Sequence, residues 1–178
     1  MTGRRRTGRA ALFAGCLAAT LAVYAAMLVW SLPRLREVAG GLEPFDLRPF
    51  GYDAAAARDL LSALGPAGRD FYLTVQHGLD TAFPALMAVT LALAYHRLAP
   101  PAVARVLALV AVAAAGFDYL ENLAVTALLR SGPEGASDAM IAAASRWTQC
   151  KSAAVTLALV SLIVLLGLAA RRRLRAGR

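Results

Sequence analysis

Apolar residues fall into four long runs along the chain, each closed by charge. The first covers residues 10–32, between Arg9 and Pro33-Arg34. The second covers 71–95, between Arg69-Asp70 and His96-Arg97. The third covers 103–129, with Arg105 near its start and Arg130 at its end. The fourth covers 147–170 and meets Arg171-Arg172-Arg173. A helix needs about 20 mostly apolar residues to cross a bilayer, and each run supplies them. None of the runs alternates with a period of two, as a membrane β-strand does. The pattern predicts an all-α polytopic membrane protein, a single domain over residues 1–178 built as a four-helix transmembrane bundle.

The connections carry a second, weaker pattern. Residues 33–70 open with Pro and Gly and then read Asp53-Ala-Ala-Ala-Ala-Arg-Asp-Leu-Leu-Ser-Ala-Leu64-Gly65-Pro66. Asp53 is a good N-cap, and Gly65 with Pro66 is a good stop. Ala57, Leu60, Leu61 and Leu64 share one face. The spacing predicts an amphipathic helix over 53–64 that lies on the membrane surface or caps the bundle. The connection 131–146 is short, and Ser137–Ala144 reads as a helical extension of the fourth span.

Composition narrows the class. The chain is 59% hydrophobic and only 17% charged, and Ala and Leu form two-fifths of it. That is too apolar for an ordinary soluble domain and excludes disorder. Two cysteines make neither a disulfide framework nor a structural zinc site. The first run exceeds the 7–15 residues of a signal-peptide core and is expected to stay as an uncleaved anchor.

The net charge of +8 is sorted by position. Arg4, Arg5, Arg6, Arg9, Arg97, Arg105, Arg171, Arg172, Arg173, Arg175 and Arg178 lie in the two tails and the link between the second and third runs. No acidic residue lies there. The positive-inside rule then puts both termini in the cytoplasm of a multi-pass plasma (inner) membrane protein, with the long connection outside. The basic tail 171–178 is topogenic and binds anionic headgroups as a by-product. Nucleic acid is not an expected partner. Membrane lipids are, together with a second copy or another membrane protein.

Ionisable groups at membrane depth are costly, so each marks a candidate site. Here they are His77, Asp80, Asp118, Glu121 and Lys151, joined by the neutral Tyr72, Gln76 and Asn122. At 1.5 Å per residue, Asp80 and Glu121 stand about 24 Å above the cytoplasmic markers, Asp118 about 20 Å and Lys151 about 30 Å. All four charges fall in the outer half of the bilayer. Asp118, Glu121 and Asn122 share one face of the third helix, and Thr126 continues it. Tyr72, Gln76 and Asp80 share a face of the second. Pro84 cannot bond the carbonyl of Asp80, and Asn122 or Lys151 could supply the missing donor. Lys151 and Asn122 are the only lysine and the only asparagine in the chain.

Other readings of these residues stay open. Lys151 could snorkel to the interface beside Trp147. The charges could form a register-fixing cluster without chemistry. His77, Asp80, Asp118 and Glu121 have the i, i+3 spacing of a carboxylate-bridged metal site, although one histidine and a competing lysine argue against it.

Two strings carry a resemblance. Leu64-Gly65, Gly68-Arg69, Tyr72, Asp80 and Phe83-Pro84 form one, and Phe117-Asp118-Tyr119-Leu120-Glu121-Asn122 with Thr148 and Lys151 the other. Together they resemble the pattern of a poorly characterised family of small bacterial four-span integral membrane proteins. The resemblance covers about residues 46–155. It supports the topology and the site residues but implies no activity and no cofactor.

The expected function is binding of a lipid or other apolar ligand, or service as an accessory protein. In the alternative, a lipid-directed enzyme, Asp80 or Glu121 is the acid/base group, Asp118 and Lys151 complete the catalytic set, and Asn122, Tyr72 and Gln76 hold the ligand.

Overall fold

The computed structural model describes residues 2–177, with the side chains of residues 10–177. The basic side chains of Arg4, Arg5, Arg6, Arg9 and Arg178 lie outside the described residues. The described chain is helical throughout apart from short turns, has no strand, and contains four helices long and apolar enough to cross a membrane.

Helix α1 runs over residues 2–38 and includes a π turn, Met27–Ser31. The sequence pattern ends this span at Leu32 because Pro33 comes next. The helix continues because the π turn widens the backbone just before the proline: Leu32 N–H bonds to Met27 C=O, five residues back. Pro33 then sits in the first turn of Leu32–Val38, where a missing N–H costs least.

Helix α2 covers residues 54–64, with Asp53 accepting the Ala56 N–H at 2.8 Å. Its apolar face, Ala57, Leu60, Leu61 and Leu64, is fully buried, so α2 caps the bundle rather than lying on a lipid surface. At Gly65 (φ 59°, ψ −175°) the chain breaks and re-enters helix at Pro66. Helix α3 therefore begins five residues before the expected start at Phe71, and runs through a second π turn, Tyr72–Gln76, to Leu98.

Helix α4 is Pro101–Gly135, broken at Gly132, and α5 is Asp138–Ala176. Ser137 caps α5 by accepting the Met140 N–H, and Ile141, Ala144 and Thr148 then bury one face. The fourth span thus starts nine residues before Trp147, as the Ser137–Ala144 pattern foretells. At its far end the expected basic tail stays helical through Ala176. At 39 residues, α5 is about 58 Å long, roughly twice the ~30 Å hydrocarbon core.

The helices pack in chain order. α1 lies on α3, α3 on α4, and α4 on α5, whereas α1 and α5 scarcely touch. Two apolar cores result. Toward the termini, Met87, Ala88, Leu91, Tyr95, Ala104 and Ala111 pack tightly through small residues, as membrane helices do. Toward the loops, the α2 face closes on Leu35, Phe45, Val125, Leu128 and Ile141.

Arg69 ties the two glycine breaks together. It donates to Gly65 C=O at 3.2 Å and to Leu129 C=O at 3.4 Å, one of the carbonyls left unpaired where α4 ends. A Cβ on Gly132 would run into this guanidinium, and its φ of 68° with ψ of −178° is a glycine conformation. Gly132→Ala is therefore expected to cost about 1–3 kcal/mol. Gly116→Ala, in open space on α4, should leave the melting temperature unchanged or raise it. Thermal unfolding of the two variants in detergent checks this.

Candidate functional site

Between the two cores lies a polar layer to which α3, α4 and α5 contribute. On α4, Asp118, Glu121 and Asn122 stand on one face and are all buried. On α5, Lys151 reaches across with only 11% of its side chain exposed. Its ammonium forms a close ion pair with Glu121 and lies 3.7 Å from Asp118. Lys151 is thus turned into the bundle and does not snorkel beside Trp147, whose ring stacks on Phe117. Thr148, one turn earlier on α5, is buried and donates its hydroxyl to Ala144 C=O at 3.2 Å.

Asp80 enters from α3. Its backbone carbonyl, deprived of a helical partner by Pro84, accepts the Asn122 Nδ2–H at 3.1 Å. That is the donor expected from the sequence. Asp80 is 4% exposed, and its Oδ2 has no hydrogen-bond partner among the described residues.

Tyr72 and Gln76 each have a partner elsewhere in the bundle, although Gln76 Nε2 is buried with none among the described residues. Gln76 Oε1 accepts the Ser31 hydroxyl at 2.6 Å, which joins the two π turns inside the bundle. π turns of this kind often mark functional sites. Tyr72 donates its hydroxyl to Asp46. His77 pairs through Nε2 with Thr126 Oγ1 at 3.1 Å, away from Lys151. Among the described residues, no three His, Cys, Asp or Glu side chains are placed to hold a metal ion. The spacing of His77, Asp80, Asp118 and Glu121 therefore does not become a metal-ligand set, because His77 points to Thr126 and Lys151 occupies the space beside Glu121.

Asp46 is the residue that sequence reasoning missed. It lies in a 3₁₀ turn, Phe45–Leu47, within the long connection. Phe45 is fully buried against the rings of Tyr52 and Tyr72, and this anchor turns Asp46 down onto the polar layer, where it faces Asp80. The turn is held from the other side by α5: Tyr52 N–H bonds to Ser145 Oγ at 2.8 Å, and Gln149 donates to Phe50 C=O at 2.8 Å. Burial pushes the Tyr52 phenol above its ordinary pKa. The available signal was an acid flanked by two large apolar residues between Pro44 and Pro49.

A cavity of about 230 Å³ meets this layer. Tyr24, Met27, Leu28 and Leu32 of α1, Leu47 of the turn, Phe83 of α3 and Val155 of α5 form its apolar walls. Asp46, Asp80, Asp118, Lys151 and Ser152 form its polar part. It occupies the seam that α1 and α5 leave open. Glu121 lies behind Lys151 and does not line it. Chemically, the cavity offers carboxylate oxygens and an ammonium at the end of an apolar passage.

Compared with known proteins, the chain matches no family model, no curated protein and no solved structure.

If the Lys151–Glu121 pair holds α5 to α4, removing one partner strands a buried charge, at a cost of about 3–5 kcal/mol. Lys151→Met should unfold far more easily than the parent in detergent. Lys151→Met with Glu121→Gln should recover a large part of the loss, since no unpaired charge remains. A Lys151→Met variant as stable as the parent would show that the pair holds nothing.

Proposed function

We propose that this is an integral membrane protein that binds a lipid or another apolar molecule through the seam between α1 and α5, with the ligand's polar end at Asp46, Asp80 and Asp118. One observation carries the reading: an apolar-walled cavity ends at a buried carboxyl oxygen, Asp80 Oδ2, with no partner. A cluster that served only to fix helix register would be closed by packing and fully paired. Pockets that enclose a whole drug-sized ligand span about 300–1,000 Å³. A cavity of about 230 Å³ suits a head group or chain end whose remainder lies in the membrane.

The same observation favours a second reading, a lipid-directed enzyme. The acid/base role then falls to Asp80, which lines the cavity, rather than to Glu121, which is occupied by Lys151.

The orientation that goes with this function has both termini in the cytoplasm. The polar layer then sits in the outer half of the bilayer, and the seam opens to the outer leaflet. In a Cys16→Ser, Cys150→Ser background, Ser62→Cys on the exposed side of α2 should label from outside intact cells, and Ala176→Cys only after permeabilisation. The reverse pattern overturns the orientation.

Native mass spectrometry of the purified protein tests the binding. A bound lipid should survive mild desolvation in the parent and be lost in Val155→Trp, which fills the cavity. The melting temperature of the lipid-free protein should change little. Identical spectra for the two proteins, with no adduct in either, would refute ligand binding at this seam.

A further inference from the structure

The cavity's charge and its aromatic walls narrow the ligand further, resting on the binding reading above. Four carboxyl groups, those of Asp46, Asp80, Asp118 and Glu121, meet a single ammonium. That ammonium is spent: Lys151 is paired with Glu121 and leans on Asp118. Asp46 and Asp80 are left facing each other across the cavity wall, Asp46 with one donor, the Tyr72 hydroxyl, and Asp80 with an oxygen that has none. An anionic head group would enter against these carboxylates with no unpaired cation among the described residues that line the cavity.

The walls agree with the charge. Tyr24 of α1 and Phe83 of α3 both line the cavity, with ring centroids 5.5 Å apart and planes 22° from parallel. Aromatic faces beside carboxylates are what an ammonium group prefers once it leaves water. Tyr24 is partly exposed at the seam, where a head group would pass on its way to Asp80.

We propose that the site takes an amphiphile with a cationic amine head, the ammonium held by Asp80 and Asp46 beside the rings of Tyr24 and Phe83, and the alkyl tail leaving between α1 and α5. The ammonium supplies the donor that Asp80 Oδ2 lacks and balances the carboxyl excess. Met27, Leu28 and Val155 line the exit for the tail.

Three probes with one tail separate head-group charge from apolar burial: dodecylamine, dodecanol and dodecanoate. Binding of each to the full chain in a nonionic detergent is read by thermal shift and by native mass spectrometry. Dodecylamine should bind about tenfold or more tighter than dodecanol, the difference a charge-assisted contact makes over a neutral one, and dodecanoate weakest. Asp80→Asn should erase the amine preference while leaving dodecanol binding in place. If Asp80→Asn fails to fold, Asp46→Asn on the connecting turn should reduce the same preference.

Each other outcome is decisive. Equal binding of amine and alcohol, as at a site neutralised by protons, overturns the cation inference and leaves the apolar-ligand reading standing. Tighter binding of dodecanoate overturns it too, in favour of an anion at Lys151. An amine preference unchanged in both Asp variants places the ammonium elsewhere and overturns the site. No binding of any probe, with no co-purifying lipid, sinks the cation inference and the binding reading together.

Discussion

Everything in the middle of this bundle depends on where the charge of Lys151 goes. A lysine inside a span costs up to about 3 kcal/mol on insertion scales, and more if it finds no partner. Glu121 is that partner, and it stands on α4 with Asp118 one turn before it and Asn122 beside it. The ion pair sets the register of α5 against α4. Asn122, held at the same height, reaches the carbonyl that Pro84 frees on α3 and sets α3 against α4. Two polar contacts from one helical turn thus align three helices, which Ala-rich faces alone would allow to slide.

α1 is aligned by other means. It is exposed over most of its length and meets the bundle chiefly along α3, with Leu35 near its end buried in the loop-side core. Its register along α3 is fixed by the Thr20–Thr90 hydroxyl pair at 2.9 Å, Tyr24 on Phe83 and Ser31 on Gln76, with Trp30 edge-on to Phe71 and the Arg97 guanidinium over Phe13. Ser31 and Gln76 both lie in π turns. A π turn inserts one extra residue and rotates the next turns of the helix, which brings both polar side chains toward each other instead of toward lipid. The widened backbone on α1 also admits Pro33. One local distortion therefore lets the helix run on to Val38 and gives the long connection its starting point.

The four spans, the capping helix over 53–64 and the break at Gly65-Pro66 were legible because each rests on local chemistry: apolar length, an N-cap, a glycine in a conformation only glycine adopts freely. The polar layer was legible because charge inside an apolar run has few outlets. Asp118, Glu121 and Lys151 meet as their spacing implies. What was not legible depends on tertiary packing. The ends of α1, α3 and α5 lie beyond the apolar runs because the loop-side core, not the membrane, stabilises those turns: Leu35, Gly68 and Ile141 are buried there. Asp46 escaped notice because only the burial of Phe45 carries it down to Asp80. Tyr72 and Gln76 share a face with Asp80 as expected, but their partners, Asp46 and Ser31, lie far away in sequence and carry no periodic signal.

The open seam is a product of this same division of labour. α5 is fixed by charge to α4, and α1 is fixed by rings and hydroxyls to α3. Nothing in either set draws α1 and α5 together, and the connecting turn that bridges them bonds to α5 through Ser145 and Gln149. The turn spans the gap at one end and leaves it open along the side. Had the bundle closed there, a side chain from α1 would have had to pair with Asp80 or fill the space beside it. Instead α1 presents Tyr24, Met27, Leu28 and Leu32, which bury well against hydrocarbon and satisfy no carboxylate. An unpaired carboxyl is expensive in such surroundings. Under the binding proposed above, the group that enters through this opening completes it.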